Sequence, residues 1–172
     1  MIVELQKGLS AQEIDAPDWN TSICGVVLDE RGSAAHGELR RRSERQLQLV
    51  YDPDTHEVDF GGDRIGVDSF SAMVTSLAGD RIVLESTTLG FVEILLCCRA
   101  FRQVGVASFD LLYVEPEGYR NRSPSGLLNR RDFELSDDVP GYRGIPGFAI
   151  LLGDRIQNRA VFFLGYEEAR LR

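Results

Sequence analysis

Ser86, Thr87 and Thr88 place three hydroxyls in succession between a short apolar run, Ile82-Val83-Leu84, and a longer one that opens at Phe91. Ahead of a helix, such a turn can offer hydroxyls and backbone N–H groups to a phosphate or carboxylate, because the first N–H groups of a helix lack intrahelical acceptors and carry the positive end of its dipole. The same residue types also cap helices. For Thr87 and Thr88 the two readings balance, since a cap needs one hydroxyl and two are present. A second group, Asp29, Arg31, Gly32 and Ser33, follows another apolar run, and there capping is the plainer reading. Glu85, Tyr113 and Glu115, with Tyr119, Gly165, Tyr166 and Glu167, stand at or just beyond the ends of further apolar runs.

Carboxylates from several strand ends suit a divalent cation with oxygen ligands, so Asp29, Glu85, Glu115 and Glu167 define the enzymatic alternative, a metal-dependent nuclease or phosphodiesterase. Salt bridging to arginine is the plainer account of the same four residues. Other chemistries lack their residues. No GxxxxGK[ST] phosphate loop is present and Lys7 is the sole lysine. No G-x-S-x-G elbow appears. His36 and His56 have no partner spacing for zinc, and His36 reads as a solvent-facing helix residue. Gly141, Gly144 and Gly147 lie among prolines, which suits a tight turn better than a cofactor loop. No catalytic residue, cofactor or metal is therefore assigned.

These groups can act together only if the elements bring them to one place. The run Ser22–Leu28 reads as a buried strand, and Ser33 as the N-cap of a helix over 34–45. A second strand is expected over Leu47–Tyr51, then a hairpin of HEVDF and DRIGV around Gly61-Gly62, then a short helix from Ser69 to Leu77 closed by Gly79. The clearest segment follows. RIVLE is a strand, SerThrThrLeuGly a turn, FVEILLCCRAFRQV a helix apolar almost all round and hence deeply buried, and SFDLLYV a parallel strand, with Gly105 as the residue that ends the helix. Residues 1–20 read as an irregular lead-in, 116–147 as a long Gly-, Pro-, Ser- and Arg-rich excursion, and FAILLG and AVFFLG as closing strands. The helix-like start at Tyr166–Leu171 suggests the N-terminal piece of a longer protein, or a short family member. The expected fold is one α/β domain over 1–172, a Rossmann-like three-layer sandwich with a mainly parallel sheet and a small inserted hairpin. In such sheets ligands sit beyond the carboxyl ends of the strands, so Leu28, Leu84 and Val114 should finish on a common rim.

Composition narrows the partners. The 172 residues carry a formal charge of −8, which disfavours bulk binding to nucleic acid or anionic lipid. Three cysteines, two of them adjacent within the apolar helix, suit buried thiols in a reducing, cytoplasmic setting. No apolar run approaches the roughly 20 residues that span a bilayer, so no membrane association is expected.

IVLESTTLGFVEILL, followed by FDLLYVEPEGY, resembles the Rossmann-like regulatory domains of prokaryotic antiviral and stress systems, in the manner of the CRISPR-associated Rossmann-fold sensors. The resemblance covers residues 81–119. It implies binding of a nucleotide or nucleotide-derived signal at the strand ends, often in a homodimer, with Ser86, Thr87 and Thr88 as the phosphate-facing turn and Asp29, Arg31, Gly32 and Ser33 as the adjoining loop. The sequence departs from that pattern at Glu85, whose charge would oppose a phosphate, and in the inserted hairpin. The leading expectation is a nucleotide-sensing or protein-interaction module of a bacterial defence or regulatory system, acting as a homo-oligomer or with a protein partner. The nuclease and a non-catalytic scaffold are its alternatives.

Overall fold

The computed structural model describes residues 18–115 and 144–148. The chain divides into two compact units, Met1–Glu115 and Pro116–Arg172. Of the second, the described part is a turn in which Phe148 N donates to Ile145 O at 2.9 Å. The expected lead-in before residue 18, nearly all of the 116–147 excursion and the two closing strands, apart from Phe148, lie outside the described residues.

Among the described residues, the first unit holds a six-stranded sheet in the order β4-β3-β2-β1-β5-β6. Strands β1 (Trp19–Cys24), β2 (Ser43–Asp52), β5 (Ile82–Glu85) and β6 (Asp110–Leu112) run parallel, and β3 (Glu57–Phe60) with β4 (Asp63–Gly66) adds an antiparallel hairpin beside β2. The fold is thus α/β with a mostly parallel sheet. Helices α1 (Glu30–Arg42), α2 (Phe70–Met73) and α3 (Phe91–Val104) complete it.

Period-two alternation along β5 sorts the core into two faces. Ile82 and Leu84 join Ile23, Leu49, Phe70, Leu96 and Phe101 in one cluster, whereas Val83 joins Trp19, Cys24, Leu39 and Leu112 in another. α2 and α3 therefore cover one face and α1 the other. At the amino ends of the strands, Trp19 Nε1 reaches past β5 to donate to Asp110 Oδ2 at 2.7 Å, and Asp80 accepts from Thr21 Oγ1 at 2.6 Å and Arg45 Nη2 at 2.7 Å. That rim is tied by side chains from four strands or their flanks.

Several boundaries differ from expectation for identifiable reasons. β1 ends at Cys24 rather than Leu28, and it begins at Trp19, inside the expected irregular lead-in. The chain leaves the sheet at Gly25 because it passes hard against the backbone of Thr88, and a Cβ there would overlap Thr88 O. Val26, Val27 and Leu28 continue the apolar run in sequence but stand exposed in the loop beyond. The α1 N-cap is Asp29, not Ser33: in extended conformation its carboxylate accepts from Gly32 N at 2.9 Å, so the helix starts at Glu30 and stops at Arg42. β2 begins four residues before Leu47, since the polar stretch from Ser43 pairs with β1 from Trp19 onward. The expected helix at 69–77 is a relay of 3-10 turn, one α turn and a second 3-10 turn over Val67–Leu77. α3 is not buried all round; Leu96, Cys97, Ala100 and Phe101 form its buried stripe while Phe91 is 69% exposed.

The hairpin and the segment from β5 to β6 lie as expected. Phe60 pairs with Asp63 across Gly61 and Gly62, both at positive φ. Gly105 ends α3 in the left-handed region at φ 82, where a side chain would be strained. β6 is shorter than the expected SFDLLYV, three residues, and is the outermost strand on its side of the sheet among the described residues. Among the described residues, no helix is long and apolar enough to cross a membrane.

Candidate functional site

Parallel β1, β5 and β6 bring Cys24, Glu85 and Leu112 to one rim of the sheet, with β1 leading to α1 on one face and β5 to α3 on the other. Between β1 and β5 the two departing loops diverge, which is where open α/β sheets place ligands. What fills this place is the chain itself.

Glu85, the last residue of β5, has no exposed surface. A buried carboxylate needs donors to offset its lost hydration, and the following turn supplies them. Thr87 N donates to Oε1 at 2.6 Å, Thr88 N to Oε2 at 3.0 Å, and Thr88 Oγ1 donates to Oε2 as well. The N–H groups that were expected to face a phosphate are thus occupied by an internal anion. Each hydroxyl of the turn holds a different neighbour. Ser86 Oγ donates to Leu112 O at 3.0 Å, and Thr87 Oγ1 accepts from Val114 N at 2.9 Å, which pins the exit of β6.

Thr88 is the crossing point. Its Oγ1 accepts from Gly25 N at 2.9 Å and lies 3.3 Å from His36 Nε2, while its Cγ2 packs against Gly32. A threonine hydroxyl has one proton and two lone pairs. The proton goes to Glu85, so both lone pairs accept and His36 must carry its hydrogen on Nε2. One side chain therefore joins the β5 turn, the β1 exit and α1.

The electrostatics follow from this packing. Burial lowers the His36 pKa, with Glu85 opposing and Arg40 adding to the effect. The Cys24 thiol is pushed up to about 11, first by burial and then by the Glu85 charge, so it is not a thiolate nucleophile. Asp29 is held below the usual carboxylate range by the Gly32 N–H and then by Arg31, whose Nε donates to it at 2.8 Å.

The rim thus brings together Asp29, Arg31, Gly32, Ser33, Glu85, Ser86, Thr87 and Thr88, with Tyr113 and Glu115 just past β6. Asp29, Arg31, Gly32 and Ser33 make up the α1 cap, with Ser33 N and Oγ both bonded to Asp29 O. Tyr113 and Glu115 are exposed. Tyr119 and Glu167 fall outside the described residues. Gly25 was not singled out, and His36 was read as a solvent-facing helix residue. His36 faces Thr88 rather than solvent, and the signal for this was its position four residues after Gly32, on the same helix face. The described residues contain no group of three or more His, Cys, Asp or Glu side chains placed to hold a metal ion.

Several apolar side chains are exposed in the loops that leave these strands. Leu28 is 88% exposed and Tyr113 55%, and Val26, Val27 and Phe91 are exposed as well. A small cleft lies elsewhere, between α2 and α3, lined by Val67, Phe70, Leu96 and Ala100. Compared with protein-family models, curated proteins and solved structures, the chain matches none.

Proposed function

We propose that the chain is a non-catalytic protein-interaction module that binds its partner through the rim at the carboxyl ends of β1, β5 and β6. One observation carries this reading: the polar groups of the rim satisfy one another, while Val26, Val27, Leu28, Phe91 and Tyr113 are left facing solvent. Exposed apolar side chains gathered at one end of a sheet suit an interaction surface. The fold in this reading is a Rossmann-like three-layer core. Its setting is the cytoplasm, in a regulatory or defence system, on the strength of the resemblance at residues 81–119.

Sedimentation of the purified chain, alone and mixed with the products of the genes flanking its own, tests the proposal. A larger species that disappears with Leu28→Asp plus Phe91→Asp is the expected result. A complex that forms equally well with that double variant would place the interface elsewhere.

A nucleotide ligand at the same rim is the second reading, motivated by the N-terminus of α3, which has no side-chain cap and carries exposed Phe91 as a stacking surface. Glu85 weighs against it, because its carboxylate already occupies the adjoining donors. Calorimetry with mono-, di- and cyclic nucleotides decides, and absence of heat from all of them removes this reading. The metal-dependent nuclease draws less support: Asp29 caps α1 and Glu85 is enclosed by its own turn, so neither carboxylate is directed at a shared point.

A further inference from the structure

We propose that His36 is an acid-operated fastener: its neutral imidazole holds the first half of α1 and the loop over 25–29 on Thr88, and protonation of the ring lets both come away while the sheet stays paired. Three contacts converge on the Thr88 side chain from this stretch. Gly25 N donates to Oγ1 at 2.9 Å, His36 Nε2 lies 3.3 Å from the same oxygen, and Gly32, one turn before His36, meets Cγ2. Little apolar burial supports them, because the buried residues within 25–36 are Gly25, Gly32 and Ala35. The second half of α1 is held separately, since Leu39 is fully buried with Trp19, Cys24, Val83 and Leu112. Loss of the Thr88 contacts therefore frees residues 25–36 and leaves the rest of the helix docked.

A proton added to this ring finds little to stabilise it. Nε2 already carries the hydrogen directed at Thr88, so the added proton goes to Nδ1, which has no hydrogen-bond partner among the described residues. Burial is the largest influence lowering the pKa of the ring, Glu85 of β5 opposes it, and Arg40, one turn along α1, adds to it by like-charge repulsion. The Glu85 carboxylate is already met by Thr87 N, Thr88 N and Thr88 Oγ1. His36 stands in the middle of α1, too far from its carboxyl end to gain from the helix dipole. Asp29, held low by its cap, stays ionised, and the Cys24 thiol, pushed up to about 11, stays neutral. The docked ring is thus neutral at a pH where a released ring, at its ordinary 6.5, takes up a proton, and acid pulls the equilibrium toward release.

Val26, Val27 and Leu28 travel with the loop, so acid alters the surface assigned above to a partner. That consequence rests on the interaction reading, whereas release is measured without a partner. Hydrogen exchange of the full chain, read by mass spectrometry with labelling times scaled for intrinsic exchange, compares about pH 7.5 with about pH 5. Peptides over 25–36 are expected to exchange several-fold faster at the lower pH, while those over β5 and the last turn of α1 hold their protection. The change should follow the titration of the His36 ring resonance in NMR spectra, which His36→Gln assigns because the chain has only two histidines. In His36→Gln the pH effect on 25–36 should vanish. An effect that persists in that variant, that spreads evenly over the strands, or that is absent from the natural sequence would overturn the proposal. Local release with no partner found by sedimentation would remove the interaction reading and leave the fastener standing.

Discussion

Thr88 concentrates more structural consequence than any other residue of the rim, because a single oxygen serves Glu85, Gly25 and His36. Thr88→Val keeps the shape and removes the oxygen, leaving a buried carboxylate one donor short and the Gly25 N–H without its acceptor. Unsatisfied buried groups of this kind cost about 1–3 kcal/mol each, more when charged, so a loss of about 3 kcal/mol is expected in urea denaturation. Thr88→Ser should recover most of it, since only a methyl group is lost. His36 gives the rim a pH dependence whose sign is determined. Its folded pKa lies below the ordinary 6.5, so between the two values the unfolded chain binds more protons than the folded one. The stability it contributes is present above pH 6.5 and is lost as pH falls through the lowered folded value. His36→Gln should flatten that part of the stability profile. A variant with an unchanged slope would mean that His36 titrates alike in both states. Neither role was legible from residue type. Thr88 read equally as ligand contact and cap, and the sequence had no means of showing that Glu85, three residues earlier, turns back onto the same N–H groups.

At the scale of elements, what was legible depended on whether burial or local chemistry sets the boundary. The segment from β5 through α3 to β6 was readable because a short β-rich run, a polar turn and a long apolar helix closed by Gly105 all point to one arrangement. The hairpin was readable from Gly61-Gly62 for the same reason. β1 was misplaced because Val26, Val27 and Leu28 look like strand interior, and only the tertiary approach of Gly25 to Thr88 turns them out of the sheet. The start of α1 was misplaced because Asp29 and Ser33 are both competent caps and composition does not choose between them. Mutation does. Asp29→Ala should cost about 1 kcal/mol, as the loss of an N-cap does, whereas Ser33→Ala should stay within about 0.5 kcal/mol. Equal effects in thermal melts would mean that the helix begins where the serine suggested. Burial around α3 was overestimated because an apolar run of that length reads as wholly enclosed, yet Phe91 precedes the stripe that meets the sheet.

For the whole molecule, the charge of −8 and the apolar rim have opposing effects. Like-charged copies repel at long range, while Leu28, Phe91 and Tyr113 offer surface that two copies would remove from water at about 25 cal/mol per Å². In dilute buffer the repulsion reaches well beyond contact distance and holds copies apart. At about 1 M salt it decays over roughly 3 Å, so only short-range forces remain. The weight-average mass from light scattering is therefore expected to rise with salt for the natural sequence and to stay flat for Leu28→Asp with Phe91→Asp. Both positions are exposed, so the variant should melt within about 0.5 kcal/mol of the parent. A rise with salt in both proteins would assign the sticky surface to another part of the chain. β6, the outermost strand among the described residues on its side of the sheet, would then be the next place to look, since Phe109 and Leu111 are also exposed there and a strand edge accepts a further strand. Leu111→Lys separates the two surfaces, because it places a charge on β6 without touching the loop that bears Leu28. If the rim governs association, Leu111→Lys leaves the salt dependence unchanged.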